Sequence, residues 1–164
     1  MKELNLIYRG HFFLIKTLKP KDVKNNYIKS LKKQKFILNK NDLSLKSQKD
    51  YIKKLLKDKN KTILGIFNNK KLIATSGFQN LNKKVTSVGF FLFGKSFLNK
   101  GFGHYFIDVS TTFVFNKYKK NKFTCGINNK NIPSIKAFQK AGFKKTKMTK
   151  KNRENNSRTY VLNI

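Results

Sequence analysis

The hydrophobic positions of this chain switch repeatedly between the period of a strand and the period of a helix. His11–Leu18 (HFFLIKTL) is a nearly continuous apolar run and predicts the first strand. Pro20, Lys21 and Asp22 then open a helix with Val23, Tyr27, Ile28 and Leu31 on one face. The segment from Phe36 to Ser44 reads as a loop. A second helix over Ser47–Lys59 gathers Tyr51, Ile52, Leu55 and Leu56 on its apolar side, with Ser47 as its N-cap and Asp50 completing a weakened capping box. Thr62–Phe67 and Leu72–Phe78 are strands joined by a turn at Asn68–Lys71, and another turn at Asn80–Lys84 leads to the apolar run Val88–Phe93.

A loop of Gly, Lys, Ser and Asn follows, then Lys100-Gly101-Phe102-Gly103, then a helix marked by Phe106, Val109, Phe113 and Val114. Lys122–Ile127 is the next strand. Asn131 is suited to cap a helix over Ile132–Ala141, Pro133 fits its first turn, and Gly142 fits its C-terminal end. Phe143 opens a strand, Lys150–Arg158 a polar hairpin, and Thr159–Ile164 a last strand. The order β-α-α-β-β-β-α-β-α-β-β predicts an α/β (α+β) fold, a mixed sheet with helices on both faces, in one domain spanning residues 1–164.

Composition narrows the reading. Hydrophobic residues make up 38% of the 164 and include sixteen Phe, so the chain can build a core and its charge does not imply disorder. No apolar run approaches the ~18 residues of a membrane span. The N-terminus lacks the apolar core of a signal peptide, which points to the cytoplasm. A single cysteine, Cys125, excludes an internal disulfide and a cysteine metal cluster, and no metal is expected. The formal charge of +31 draws in polyanions, but only Arg9, Arg153 and Arg158 are arginines, the usual readers of phosphate forks and bases. The lysines are spread along the whole chain with abundant Asn, Ile and Phe, a bias that an AT-rich genome produces unaided. The field favours anionic substrates without requiring a dedicated nucleic-acid surface.

The stretch Val85–Tyr118 carries the candidate chemistry. A strand, a glycine-bearing loop and a helix start in that order present unpaired N–H groups and the positive end of a helix dipole, and the glycines let a phosphate approach the backbone. Gly-x-Gly alone also occurs in plain tight turns. Two blocks extend the pattern: Gly89-Phe90-Phe91-Leu92 through Asn99-Lys100-Gly101-Phe102-Gly103, and Asn131-Ile132-Pro133-Ser134 through Lys140-Ala141-Gly142-Phe143. Together they resemble the GNAT superfamily of N-acyltransferases over nearly the whole chain. The spacing is similar to the branch that includes ribosomal-protein N-terminal acetyltransferases and amino-sugar acyltransferases.

That resemblance implies a central sheet whose parallel strands splay apart around the pantetheine of an acyl-CoA, here acetyl-CoA. The strand Phe90 to Phe93, with Phe91, Leu92 and Phe93 as site residues, would offer backbone groups to the pantetheine and an N–H to the thioester oxygen. Leu98, Asn99, Lys100, Gly101, Phe102, Gly103 and His104 would hold the pyrophosphate. Asn131 would contact the donor from the other arm of the splay, and the following helix, with Phe138, would pack along the pantetheine. The chain also departs from the family pattern. A Tyr acid frequent near Phe138 is missing, which leaves Ser134 as candidate acid or as a capping and cofactor contact. Ser87 stands where a Glu base is often found, so no general base emerges and water is left to take the amine proton. Leu98 and Asn99 replace a basic or larger residue and a glycine. The leading reading is an N-acetyltransferase acting on a primary amine of a small molecule, with a nucleotide-linked amino sugar suited to the positive field. Acetylation of a protein N-terminus, and a degenerate GNAT fold serving as a basic nucleic-acid-binding module, stay open. Acceptor choice is expected in the first two helices and their loop, around Asn25–Lys46.

Overall fold

Alternating strands of apolar side chains require cover on both faces, and two separate cores supply it. A computed structural model describes residues 3–36, 42–147 and 149–164 of the chain. The strands are β1 (Glu3–Tyr8), β2 (His11–Thr17), β3 (Lys61–Asn68), β4 (Lys71–Gln79), β5 (Thr86–Leu92), β6 (Lys122–Asn128), β7 (Lys144–Lys145) and β8 (Ser157–Asn163). The helices are α1 (Asn25–Lys33), α2 (Leu45–Lys57), α3 (Phe102–Tyr118), α4 (Ile132–Lys140) and α5 (Lys150–Glu154). One sheet of eight strands runs β1-β2-β3-β4-β5-β6-β8-β7, antiparallel except where β5 meets β6. This is the mixed sheet with helices on both faces that the pattern predicts.

The strand β3 shows how the two cores are shared. Leu64 and Ile66 point into the larger core, with Phe13, Phe78, Phe106, Phe113 and Phe123, under α3 and α4. Ile63 and Phe67 point the other way, to Tyr27, Ile28 and Leu31 of α1 and Ile52 and Leu55 of α2. This period-2 division is what the near-continuous apolar runs of β3 and β4 encode.

Local details differ from the sequence expectation in five places. Pro20–Asp22 does not open the first helix but forms a separate 3₁₀ turn; Val23 and Lys24 are extended after it, and α1 begins at Asn25. The first strand is β1, not His11–Leu18. It pairs antiparallel with β2 through the two-residue turn Arg9-Gly10, and its Leu4, Leu6 and Tyr8 pack on the larger core. Its outward Ile7 is exposed, which breaks the alternation that would have marked it. The second helix starts earlier than expected. Ser44, not Ser47, is its N-cap, and its side chain accepts from the Ser47 N–H at 3.1 Å. Residues 150–158 hold the short helix α5 instead of a hairpin, capped by Thr149 and Asn152, whose side chains bond each other at 2.9 Å. Phe143 itself stays outside β7, buried against the Phe138 ring. Part of the expected Phe36–Ser44 loop, residues 37–41, lies outside the described residues.

The side of the sheet that carries the site rests on packed rings. Phe13, wholly buried, meets Phe106 at 4.9 Å, Phe97 at 5.5 Å and Phe102 at 5.8 Å between centroids. Truncating it removes its contacts with these three rings and leaves a cavity beneath the loop that precedes α3. Phe13→Ala is expected to lower the unfolding free energy by about 3–5 kcal/mol, measured by denaturant titration; a loss under about 1 kcal/mol would show that the cluster collapses to fill the space.

Candidate functional site

The two parallel strands at the centre of the sheet are joined for only two residue pairs, Thr86↔Phe123 and Ser87↔Thr124. Beyond that point β5 runs on to Leu92 bonded only to β4, and β6 runs on to Asn128 bonded only to β8. The inner edges of both strands diverge. A bulge in β4 helps set the angle: Ile66 faces Ala74 and Phe67 faces Leu72, so Ile73 is an extra residue. Its carbonyl accepts from both the Phe93 and Gly94 N–H groups, each at 2.9 Å. Because Phe93 donates toward β4, alternation along the strand turns the N–H groups of Leu92 and Phe90 toward the gap.

The chain then folds over the aromatic cluster. Gly94 packs so closely that a Cβ would sit 2.8 Å from the Ile73 Cβ. A 3₁₀ turn at Lys95–Phe97 follows, and Phe97 is buried against Phe102 with centroids 5.0 Å apart. Asn99 takes φ 58 and Gly101 φ 79 before α3 begins at Phe102. Asn adopts the left-handed conformation more readily than other side chains, so Asn99 serves where a glycine is common. Among the described residues, none of the amides from Asn99 to His104 donates a hydrogen bond. They lie at the positive end of α3, a seventeen-residue helix.

Opposite this loop, Asn131 caps α4 by accepting from the Ser134 N–H at 3.3 Å. Between β5, the loop and α4 lies a groove of ≈ 670 Å³. It brings together Phe91, Leu92, Leu98, Asn99, Gly101, Gly103, His104, Asn131 and Ser134, all predicted as site residues. Four others are not brought to its wall. Phe93 turns its ring to Tyr27, 5.4 Å away, and its N–H is taken by Ile73. The carbonyl of Lys100 turns outward to the Arg9 guanidinium. Phe102 and Phe138 are buried at 3% exposure each and support the groove from beneath. Sequence reasoning missed Pro133, Lys136, Ala137 and Lys140, although their spacing puts them on one face of α4 with Ser134. It placed acceptor choice in a broad segment, of which Lys33, Gln34, Lys35 and Phe36 reach the groove.

Residues 13–144 match the family model of the acetyltransferase (GNAT) domain. The chain belongs to the GNAT family. It is an N-acetyltransferase. No curated protein matches the sequence significantly. Among solved structures, the chain is similar to a ribosomal-protein-S5-alanine acetyltransferase from Vibrio fischeri, 16% identical over 98% of this chain and 97% of that one, with a TM-score of 0.79. It is similar to the N-acetyltransferase PseH of Campylobacter jejuni in complex with acetyl coenzyme A, 19% identical over 91% and 98%, TM-score 0.66. A spermidine N-acetyltransferase SpeG chimera from Vibrio cholerae and hSSAT aligns over 92% and 95% at 12% identity, TM-score 0.77. At such identities the likeness shows the fold, and the open sheet seen here is the GNAT sheet.

The electrostatics of this GNAT groove are one-sided. Lys33, Lys35, Lys136 and Lys140 line it, and no carboxylate does among the described lining residues. Among the described residues no group of three His, Cys, Asp or Glu could hold a metal, and no helix is long and apolar enough to cross a membrane. The buried hydroxyl nearest in spirit to a catalytic Tyr, Tyr27, lies behind β5 against Phe91 and Phe93. Burial pushes its pKa up to about 12, against a smaller opposing effect of its hydrogen bond with Thr75. It therefore keeps its proton and is no base. Burial likewise raises the Cys125 thiol to about 12, so this core sulfur is no nucleophile.

Tyr27 has a signature in stability. Its folded pKa lies above its ordinary value of 10.0, so its contribution is complete below pH 10 and lost as pH rises toward about 12. The stability advantage of the wild type over Tyr27→Phe should be flat below pH 10 and then fall by up to about 1.4 kcal/mol per pH unit. Denaturant unfolding of both proteins across that range checks it. A parallel pair of curves would place Tyr27 in contact with solvent.

Proposed function

We propose that this enzyme transfers the acetyl group of acetyl-CoA to a primary amine of a small anionic acceptor, a nucleotide-linked amino sugar being the type that fits best. The observation that carries this reading is the parting of β5 from β6 after Ser87↔Thr124, beside a loop whose amides are unpaired. A slot of strand backbone next to a cluster of free N–H groups suits a thioester on a pantetheine arm ending in a diphosphate. The complex of PseH with acetyl coenzyme A supports the same donor.

Each part of the chain then has a task. The amides of Asn99–His104 bind the diphosphate with the dipole of α3 behind them. The gap-facing N–H groups of Phe90 and Leu92 align the arm, and one of them steadies the oxygen that gains charge when the amine attacks the carbonyl carbon. The Ser134 hydroxyl passes a proton to the sulfur as the C–S bond breaks, so that CoA leaves as the thiol, and regains a proton from solvent. Water removes the proton that the attacking nitrogen sheds, since no carboxylate lines the groove among the described residues. Much of the acceleration comes from holding the neutral amine against the thioester.

The acceptor class follows from charge. Lys33, Lys35, Lys136 and Lys140 repel a polyamine or a basic protein N-terminus and attract a phosphate or carboxylate. An acceptor screen with thiol detection is expected to give higher kcat/KM for a nucleotide-linked amino sugar than for spermidine or a ribosomal-protein N-terminal peptide. The reverse ranking would overturn this choice. Stabilisation by DNA but not by acetyl-CoA in a melting assay would instead favour the nucleic-acid module. Ser134→Ala is expected to cut kcat by roughly 10²-fold while the KM for acetyl-CoA changes little; an unchanged kcat would reduce Ser134 to the first turn of α4.

A further inference from the structure

The turn between β1 and β2 is built against its own local preference. Arg9 and Gly10 both have positive φ, 50 and 74, the geometry of a type I′ hairpin turn. Asn, Asp or Gly is favoured at the first of these positions, and a long cationic side chain is disfavoured. Arg9 is also one of only three arginines among 38 basic residues. Its side chain explains the choice. The guanidinium lies 5.3 Å from the Tyr8 ring and 5.9 Å from the Phe102 ring. Tyr8 in turn stacks on Tyr105 of α3, centroids 3.7 Å apart and planes within 8°. From this seat Arg9 donates through Nη1 to the carbonyl of Lys100, ninety-one residues away in the chain.

We infer that Arg9 is the positioning residue of the diphosphate loop, an inference that rests on the acyl-CoA reading above. The argument is geometric. The Lys100–Gly101 peptide is trans, as are all those described, so its carbonyl and its N–H point in opposite directions. Gripping the carbonyl from outside the loop aims the Gly101 N–H away from Arg9, and Gly101 lines the groove. The constraint is needed because Asn99 and Gly101 both sit at left-handed φ, and a glycine lets the intervening peptide turn over at little cost. Room is tight on that side as well: a Cβ on Gly101 would lie 3.3 Å from Nη1 of Arg9. Leu98, exposed in the same loop, has a side chain with no charge or donor to hold the loop. Arg9, from the far end of the sequence, supplies what the loop lacks.

The test uses Arg9→Asn and Arg9→Gln with two donors, acetyl-CoA and S-acetylpantetheine, which has the thioester arm and no phosphate. Arg9→Asn makes the turn Asn-Gly, the preferred type I′ pair, so its unfolding midpoint is expected to match or exceed that of the wild type. Both variants should bind acetyl-CoA about tenfold more weakly, the equivalent of one charge-assisted hydrogen bond in the cradle. Their KM for S-acetylpantetheine and their kcat should match the wild type. Equal losses with both donors, or acetyl-CoA binding as tight as in the wild type, would overturn the inference. A wild type that binds acetyl-CoA no better than S-acetylpantetheine would instead sink the diphosphate reading on which it stands.

Discussion

Every functional feature of this enzyme depends on two parallel strands that stop pairing. β6 is bonded to β8 from Lys122↔Asn163 to Asn128↔Ser157, and β5 to β4 from Gln79↔Ser87 to Ala74↔Leu92. Each strand is thus firmly held on its outer side. Between them only Thr86↔Phe123 and Ser87↔Thr124 remain. A sheet interior that leaves backbone donors and acceptors unpaired is costly unless something else meets them. Here the unpaired edges form the walls of a slot, and the next segment of chain adds a second row of free amides at the start of α3. Under the proposed function, that open edge is what receives an extended, polar, phosphate-ended ligand.

The surrounding packing makes the slot a fixed shape. On one face Phe90 and Leu92 pack on the larger core under α3 and α4, and on the other Phe91 and Phe93 meet Tyr27 of α1. β5 is therefore gripped from both sides while its edge stays free. The rings of Phe13, Phe97, Phe102 and Phe106 form a floor for the loop. Two left-handed residues can persist in that loop because the rings beneath and the Arg9 guanidinium outside leave it little freedom.

Charge adds a second constraint. Of the seven acidic residues, only Asp22 and Asp58 form ion pairs among the described residues, with Lys16 and Lys61. The positive field is therefore largely uncompensated within the chain. It converges on the groove, which four lysines and no carboxylate line among the described residues.

Much of this was readable from residues alone because it is local chemistry. Period-2 and helical spacing marked β3 to β6 and α3, Asn131 and Pro133 marked the start of α4, and Gly101 and Gly103 marked the loop. The edge strand β1 was hidden because Ile7 points to solvent, and α5 because a short polar helix held by Thr149 and Asn152 has no apolar face. What the sequence by itself determined is the order of most elements, the glycine-bearing loop before α3 and the Asn131 cap of α4, since these depend on neighbours a few positions apart. Tertiary structure decided where the parallel strands part, that Phe93, Phe102 and Phe138 turn away from the groove, and that Lys33–Phe36 and Arg9 come to its side. Those outcomes depend on contacts between segments far apart in the chain, and no local pattern of residues encodes the distance between them.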